Sequence, residues 1–405
     1  MLRILAACCL SVALAAPAQS QEWTRFRGPN GTGVSEASTI PTTWTLADFN
    51  WRADLRGIGH SAPVIWGDRI FITSADESTA TRHVLCLAVS DGRILWQRDY
   101  PSQVHEKHVR NSFASSTPAV DADRVYVSWS TPEKLTLLAL DHDGQDVWER
   151  DLGPFQSQHS SGASLVVYED MVIVNNEQDG PSFLLAVDAF SGNDRWRTPR
   201  TPTMVSYSTP CIYQGPDGKP QLIFNSNAHG ITGQDPLTGE TLWEYSCFKL
   251  RTCSSPVVFG DVILGSCGSG QGGNYLVGVR PPANGRPAEE VFRLPGKVPY
   301  VPTPVTNGEL AFLWEDKGVV TCITPAGQIV WRERVDGNFS GSPIRIGNYL
   351  YCLAEDGDCF VLEAGPQFKL IARNPTGEVS RSTPAVADGI LYLRTDTHLI
   401  ALGGR

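Results

Sequence analysis

The sequence predicts an all-β protein, a single eight-bladed β-propeller of four-stranded blades that is closed by an N-terminal strand completing the last blade. Three observations lead to this prediction. One unit recurs along nearly the whole chain of 405 residues, the unit has the length of a four-stranded blade, and its last copy lacks one strand that a segment near the N-terminus can supply.

The second half of the unit consists of an apolar run, a turn and a further strand. It reads LAVSDGRILW, LALDHDGQDVW, LAVDAFSGNDRW, TGQDPLTGETLW and TCITPAGQIVW, and in each copy a glycine stands four residues before the tryptophan. This spacing is typical of a tight turn that leads into an outer strand. Because the tryptophans share one position of the repeat, we expect them to pack between neighbouring blades.

The first half of the unit is a small residue, then a proline in all copies but one, and then short β-branched runs bounded by Gly, Asp or Asn. The copies are 39 to 55 residues apart, which is the length of a propeller blade. A helical repeat would need longer stretches with a period of 3.6 residues, and these are missing from the sequence. The eight copies start at Pro63, Pro118, Leu165, Pro210, Pro256, Pro304, Pro343 and Pro384.

The eighth copy has no closing tryptophan strand of its own. Trp51 precedes Pro63 by the same twelve residues that separate Trp331 from Pro343. We therefore predict that residues 49–55 complete the eighth blade, so that no sheet edge is left exposed where the ring closes. This divides the chain into a signal peptide (1–18), an N-terminal arm (19–48) and the propeller (49–405).

The arm contains the stretch RFRGPNGTG at residues 25–33. No strand is predicted before it and no helix after it, so the context of a phosphate-binding loop is missing. We expect residues 28–31 to form a turn, and the arm to lie across the propeller near its closure. Arg25 or Arg27 is expected to pair with the acidic body of the protein.

The first residues, MLRILAACCLSVALAAPAQSQEW, have the pattern of an export signal. Arg3 is followed by an apolar stretch and by small residues that fit cleavage after Ala18. We therefore expect an exported protein, periplasmic or extracellular. The alternative is a lipoprotein processing box at residues 5–8. No later segment has 18 consecutive apolar residues, so no transmembrane span is predicted.

The charge balance disfavours nucleic acid and anionic membrane surfaces as main partners. The chain carries 33 Lys+Arg against 43 Asp+Glu, a formal net charge of −10, and it has no basic stripe. A protein partner or a small ligand is expected instead, bound by a monomeric propeller.

Eight cysteines remain once Cys8 and Cys9 leave with the signal peptide. Export permits disulfides. The candidate pairs are Cys247 with Cys253, across a short loop, and Cys352 with Cys359, on either side of the turn signal AEDGD. Two further cysteines, Cys86 and Cys322, lie inside apolar runs and are expected to be buried thiols.

The candidate binding site lies in the loops that lead into the first strand of each blade. The repeat brings these loops to one face of the propeller, where distant polar residues would form an anion-favouring, hydrogen-bonding lining. The alternative is that each polar group satisfies backbone ends at a blade tip. The candidate residues are His60, His105, His108, Arg110, Asn111, His159, Tyr207, Arg251, Tyr300 and Arg381.

The same face contains residue types that suggest three other functions: a zinc site, a nucleophilic serine and an aromatic stacking surface. A zinc site of His105, His108 and His159 is disfavoured by its loose spacing and an intervening lysine, so no metal is predicted. A nucleophilic serine near His108 is disfavoured because the repeated S-x-P step already explains the serines there. Trp129 and Trp314 could offer a stacking surface on the same face, with core packing as the alternative.

The repeat resembles that of the pyrroloquinoline-quinone (PQQ) family of eight-bladed propellers, whose signature LxALDxxTGxxxW is similar to LAVDAFSGNDRW. The resemblance covers nearly all of residues 49–405. The N-terminal stretches RFRGPNGTG, PTTW and NWRADLRGIGHSAPV also resemble exported quinone-like propellers of planctomycete-type bacteria. Fold does not fix function within this family.

Two branches of the family set the functional alternatives. Quinoprotein alcohol dehydrogenases are enzymes, whereas BamB, the lipoprotein of the outer-membrane barrel-assembly machinery, is a scaffold. The chain resembles the scaffold in length. The dehydrogenases resemble one another in an adjacent cysteine pair, and Cys8-Cys9, the one such pair here, lies in the signal. The resemblance thus implies a non-catalytic binding or scaffold module, with a PQQ- and calcium-dependent dehydrogenase with atypical ligands as the alternative.

Overall fold

The computed structural model describes residues 22–404, and in them the chain forms eight blades of four antiparallel strands each. The predicted fold class is therefore confirmed. The predicted signal peptide, residues 1–18, lies outside the described residues.

The N-terminal arm and the blades follow one another along the chain. The arm holds a 3-10 helix (Pro29–Gly31), β1 (Val34–Ser35), a second 3-10 helix (Leu46–Asp48) and β2 (Trp51–Asp54). Blade 1 holds β3 (Val64–Trp66), β4 (Arg69–Ala75), β5 (Arg82–Ala88) and β6 (Ile94–Tyr100); blade 2 holds β7 (Ala119–Val120), β8 (Arg124–Ser130), β9 (Leu135–Asp141) and β10 (Asp146–Asp151). Blade 3 holds β11 (Val166–Tyr168), β12 (Met171–Asn176), β13 (Ser182–Asp188) and β14 (Asp194–Arg200); blade 4 holds β15 (Cys211–Gln214), β16 (Pro220–Ser226), β17 (Gly230–Gln234) and β18 (Thr241–Tyr245). Blade 5 holds β19 (Val257–Phe259), β20 (Val262–Cys267), β21 (Tyr275–Arg280) and β22 (Glu289–Pro295); blade 6 holds β23 (Val305–Thr306), β24 (Ala311–Trp314), β25 (Val319–Ile323) and β26 (Ile329–Arg334). Blade 7 holds β27 (Ile344–Ile346), β28 (Tyr349–Leu353), β29 (Cys359–Glu363) and β30 (Leu370–Asn374); blade 8 holds β31 (Ala385–Ala387), β32 (Ile390–Arg394) and β33 (His398–Gly403), with β2 as its outer strand.

Each blade runs outward from a central channel. The first strands of neighbouring blades contact one another, so they are the innermost strands. In blade 1 the second and third strands are buried almost throughout, while every residue of the fourth strand, β6, is exposed or half-buried. The apolar runs of the sequence thus form middle strands sandwiched between two neighbouring blades.

The repeated tryptophans pack between blades, as predicted. The Trp96 ring lies against Gly144 of the next blade, where an added Cβ would be 2.7 Å from a ring carbon, and Trp96 Nε1 donates to His142 O at 2.8 Å. Gly144 also needs its positive φ of 80° for the turn. The same contact joins Trp51 to Gly92, Trp148 to Gly192 and Trp196 to Gly239, while Phe292 replaces the tryptophan beside Gly327.

A ring of hydrogen bonds joins the innermost strands. The residue that begins each copy is preceded by serine or threonine in seven blades and by Ala62 in blade 1. Each hydroxyl accepts from the backbone N–H of the equivalent residue one blade earlier: Ala62 N donates to Thr117 Oγ1 at 2.9 Å, and Thr117 N to Ser164 Oγ at 3.1 Å. The other bonds run from Ser164 N to Thr209 Oγ1 (3.1 Å), Thr209 N to Ser255 Oγ (3.1 Å), Ser255 N to Thr303 Oγ1 (3.0 Å), Thr303 N to Ser342 Oγ (3.0 Å) and Ser342 N to Thr383 Oγ1 (2.9 Å).

The ring lacks its eighth hydroxyl at the junction of blades 8 and 1, where the two ends of the repeat meet. Here the fully buried Arg394 spans the junction. Its Nη1 donates to Ser61 O at 2.9 Å, to Ser61 Oγ at 2.6 Å and to Thr73 O at 2.7 Å. Ser382 Oγ donates to the same Ser61 carbonyl at 3.1 Å. A guanidinium therefore fastens the junction that has no ring hydroxyl.

The N-terminal strand closes the propeller as predicted. β2 pairs antiparallel with β33, with Trp51 opposite Ala401 and Asp54 opposite His398. The arm also adds a fifth strand to blade 7, because β1 pairs in parallel with β27.

The arm crosses the central channel before it reaches blade 7. Its backbone pairs with Ile65 of blade 1 and Val120 of blade 2, and Asn30 exchanges two hydrogen bonds of 2.7 Å with Ile212 of blade 4. A segment that meets inner strands on several sides of the axis must cross that axis. The arm thus closes the end of the channel at which the first strands end.

The expected pairing of Arg25 and Arg27 with acidic residues is wrong. Both side chains enter the channel and donate to backbone carbonyls: Arg25 to Pro210 O, and Arg27 to Thr303 O at 2.6 Å and Pro304 O at 2.8 Å. The turn at residues 28–31 brings them there, because Gly28 and Gly31 take φ values of 65° and 66°.

The candidate disulfides are absent, since all eight cysteines of the described residues are free thiols. Cys352 lies opposite Phe360 and Cys359 opposite Leu353, so the two thiols point to opposite faces of the sheet. Cys247 packs in the apolar core between blades 4 and 5, whereas Cys253 lies beside Tyr300. The remaining cysteines include Cys86 and Cys322, which are buried as expected.

None of the helices in the described part of the chain has the length and apolar character needed to cross a bilayer.

The incomplete ring makes a stabilising substitution predictable. Ala62→Ser should supply the missing acceptor for Thr383 N–H and raise the free energy of unfolding by about 0.5–1.5 kcal/mol. Ser255→Ala should lower it by about 1–3 kcal/mol, because it leaves the Thr209 N–H buried without a partner. Denaturant unfolding measures both, and Ala62→Val is the size control that should bring no gain. A destabilised Ala62→Ser protein would contradict the role given to the ring.

Candidate functional site

The loops that precede the first strands lie at the end of the channel opposite the arm. They carry all ten predicted site residues, and nine of these are half-buried while Arg110 is exposed. This face is called the channel mouth below.

Five of the predicted residues form one continuous cluster at the mouth. Arg251 Nη1 donates to His159 Nε2 at 2.9 Å, and the His159 ring lies 4.3 Å from the His108 ring and 5.9 Å from the Tyr207 ring between centroids. Tyr300 contacts the Arg251 guanidinium from the other side. Residues from five different loops, each leading into a different blade, thus meet at the mouth.

The remaining predicted residues lie around this cluster. Asn111 Nδ2 donates to the His159 carbonyl. His105 packs edge-on against Phe113, with ring centroids 4.9 Å apart, and its Nε2 is 3.5 Å from Ser160 Oγ. Arg110 follows on the same loop, with only its backbone N–H bound, to His108 Nδ1 at 3.2 Å.

His60 and Arg381 occupy another part of the mouth. Arg381 Nε lies 3.6 Å from a Glu355 carboxylate oxygen, so its charge is balanced. Lys107 is balanced in the same way by Glu77, at 2.8 Å. Arg251, in contrast, pairs with no acidic side chain in residues 22–404.

The surroundings of His159 and His60 hold these two histidines in the neutral form at neutral pH. Burial, then Arg251, then His108 lower the pKa of His159 to about 4. Burial, followed by the charges of Arg394, Arg381 and Lys107, lowers the pKa of His60 to about 3. The mouth therefore places the neutral imidazoles of His159 and His60 beside cations, which suits an anionic or hydrogen-bond-accepting group.

The histidines and serines considered for metal binding and nucleophilic attack are engaged in other contacts in the described part of the chain. His159 Nε2 accepts the Arg251 hydrogen bond, so its lone pair is used, and His105 faces away toward Phe113. Within residues 22–404 no three His, Cys, Asp or Glu side chains come together as metal ligands. Ser112 and Ser115 bond to each other at 3.0 Å, and Ser116 donates to the Ala163 carbonyl.

The two tryptophans considered as stacking surfaces belong to the packing. Trp314 is completely buried, against Phe339 at 5.2 Å between ring centroids. Trp129 is half-buried and packs on Tyr100 at 5.1 Å.

The residues present do not fit a calcium-bound quinone. Calcium takes six to eight oxygen ligands, usually with several carboxylates. The fully buried carboxylate of Glu177 is instead paired with Arg200 at 2.6 Å, and no group of three acidic, histidine or cysteine side chains in the described residues is placed to hold a metal ion.

A small cavity lies beside the mouth, where the loop into blade 3 begins its first strand. It has a volume of about 20 Å³ and is lined by residues 161–165 with Asn175 and Ser206, among others. This is room for about one water molecule, and the Asn175 Oδ1 atom there has no protein partner.

Two residues at the junction of blades 8 and 1 were not predicted from the sequence. Arg394 was passed over inside the run LYLRTD, although an arginine in a buried strand is itself a signal. Ala62 was also passed over, although it is the one residue of its repeat position without a hydroxyl.

Comparisons with known proteins establish the fold. The model of the family described as "Outer membrane protein assembly factor BamB" matches residues 48–204. The structure of BamB from Moraxella catarrhalis superposes with a TM-score of 0.61 and 19% identity, covering 86% of this chain and 95% of that one. A quinohemoprotein alcohol dehydrogenase from Comamonas testosteroni gives a TM-score of 0.66 and 13% identity, covering 95% and 80%. A computationally designed protein gives 0.62 and 10%, covering 88% and 99%. No curated protein sequence matches significantly.

The lowered pKa of His159 predicts an acid-dependent stability. In the unfolded chain a histidine binds its proton near pH 6.5, whereas His159 in the native protein does so only near pH 4. The free energy of unfolding should therefore fall as the pH falls from about 6.5 to 4, and be constant above that window as far as His159 is concerned. His159→Gln, whose amide oxygen can still accept from Arg251, should make this decline shallower, and the part that remains is due to other groups such as His60, whose pKa is also lowered.

Urea unfolding at a series of pH values measures the effect. Arg251→Gln is the companion variant, because it keeps the imidazole and removes one charge that depresses its pKa. A His159→Gln protein with the full acid slope of the wild type would show that His159 is not the group responsible.

Proposed function

The chain is a pyrroloquinoline-quinone-like β-propeller, and on that premise we propose that it is an exported, non-catalytic binding module that holds a protein partner or small ligand at the channel mouth. The observation that carries this proposal is the cluster around Arg251. Its guanidinium faces a half-buried, hydrogen-bonding surface and has no acidic partner within residues 22–404.

The chemistry of the mouth supports binding rather than catalysis. The imidazole of His159 is engaged by Arg251, and the serines of the loop bond to carbonyls or to one another. A general base needs a free lone pair within reach of a nucleophile. A quinone-dependent dehydrogenase is the alternative function. It is disfavoured because the described residues offer no group of carboxylates to hold the calcium ion.

A protein partner is favoured over a small ligand by the loop between β6 and β7. Val104 is 58% exposed and Val109 is 85% exposed on this loop, next to the exposed Arg110. Apolar side chains beside an arginine are typical of protein interfaces. Export is supported by the pattern of residues 1–18 and by the similarity to BamB.

Site-specific photo-crosslinking in the host cell tests the proposal. A photoreactive phenylalanine analogue at position 109 should give a discrete crosslinked product. The same analogue at position 329, an outer-strand isoleucine with 46% exposure, is the matched control and should give none. Arg251→Ala should reduce the crosslink several-fold at an unchanged melting temperature, because it removes the cation without altering a blade core.

Adding pyrroloquinoline quinone and calcium to the purified protein tests the alternative function, a quinone-dependent dehydrogenase. We expect neither stoichiometric binding at micromolar quinone nor dye-linked oxidation of alcohols. Tight quinone binding, or equal crosslinking at positions 109 and 329, would count against the proposed function.

A further inference from the structure

The N-terminal arm contains a closed loop of unusual polarity at the other end of the channel. Residues 23–33 fold back on themselves through backbone hydrogen bonds from Gly28 N to Arg25 O (2.9 Å) and from Gly33 N to Arg27 O (2.8 Å). The Trp23 ring packs directly on Gly28, where an added Cβ would be 2.4 Å from a ring carbon. This segment is called the arm loop below.

The arm loop brings two positive charges out of water. Trp23 and Arg27 are 0% exposed and Arg25 is 5% exposed. Burial lowers the pKa of Arg25 to about 10 and that of Arg27 to about 9, so both guanidiniums stay protonated at neutral pH. No acidic side chain of residues 22–404 forms an ion pair with either.

The hydrogen bonds of the arm loop leave an excess of donors. The Nη2 atom of Arg25 donates a hydrogen bond to Pro210 O, but its Nε and Nη1 atoms have no hydrogen-bond partner. Arg27 uses both terminal nitrogens on carbonyls, and its Nε has no partner. The Trp23 Nε1 donor is also buried without a partner. Four donor atoms on one short loop thus lack acceptors.

An unpaired buried charge is costly, and the neighbouring groups do not neutralise it. The Cys211 thiol could place a negative charge beside Arg25, but burial raises its pKa to about 12, so it is neutral. A buried water would accept one or two of the bonds, but it brings two donors of its own and no charge. An anion supplies acceptors and charge together.

We propose that the arm loop binds one anion of the size of chloride, beside the Arg25 guanidinium at the closed end of the channel. The small size follows from burial, because Arg25 is 5% exposed and Arg27 and Trp23 are 0% exposed, so that a larger anion could not reach the guanidinium without displacing the arm. The anion would fix the arm across the channel, and it is independent of the partner site at the mouth.

Halide-dependent stability tests the proposal on the full-length mature protein. Unfolding is measured at constant ionic strength while sodium chloride or bromide replaces sodium gluconate, whose anion is too large for the loop. We expect the unfolding equilibrium constant to fall about 100-fold when the halide reaches about 100 times its Kd. Arg25→Met should abolish this response, whereas Arg93→Met, at an exposed arginine of a blade turn, should retain it.

Anomalous diffraction from wild-type crystals grown in bromide provides a second readout that does not depend on the variant folding. A bromide peak in hydrogen-bonding contact with the Arg25 guanidinium would support the site. Water alone at that position in saturating bromide, or equal stability in halide and gluconate, would overturn the proposal.

Discussion

A ring of hydrogen bonds between hydroxyls and backbone amides holds the innermost strands at one height around the channel, and the rest of the molecule is positioned from it. Each bond uses the residue just before the first strand of a blade. The loops of the mouth end at these residues, so the ring fixes where each loop enters the channel. The carbonyls that receive Arg25 and Arg27 lie at or directly below it. The blades gain further contact from the docked tryptophans, but those lie farther from the axis and do not set the channel geometry.

The sequence predicted the features that repeat. Blade number, docking tryptophans and closure by the Trp51 strand follow from a local period and from fixed spacings, which are visible without a structure. The candidate disulfide between Cys352 and Cys359 was wrong because facing strands were inferred correctly but their register was not. A shift of one residue places the two thiols on opposite faces of the sheet.

The features that occur once were harder to predict. The path of the arm depends on which carbonyls the channel leaves available, and the sequence does not display these. The predicted site residues gather at the mouth because the repeat places their loops there. Their pairing, such as Arg251 with His159, depends on loop conformations and on burial, and could not be read from spacing. The net charge of −10 suggested that Arg25 and Arg27 would pair with acidic side chains, but both donate to backbone carbonyls of the inner strands instead.

The pairing of β2 with β33 joins segments from the two ends of the described chain, and this has a consequence for the order of assembly. The arm and Trp51 precede all eight blades along the described chain, whereas the strand that receives Trp51 and the arginine that fastens blades 8 and 1 belong to the eighth, so closure has to wait until blade 8 is in place. Until then the ring is an open arc, and Arg25 and Arg27 remain hydrated. Closure of the circle and burial of the arm are therefore coupled events, and the channel takes its final shape only when both ends of the repeat have met.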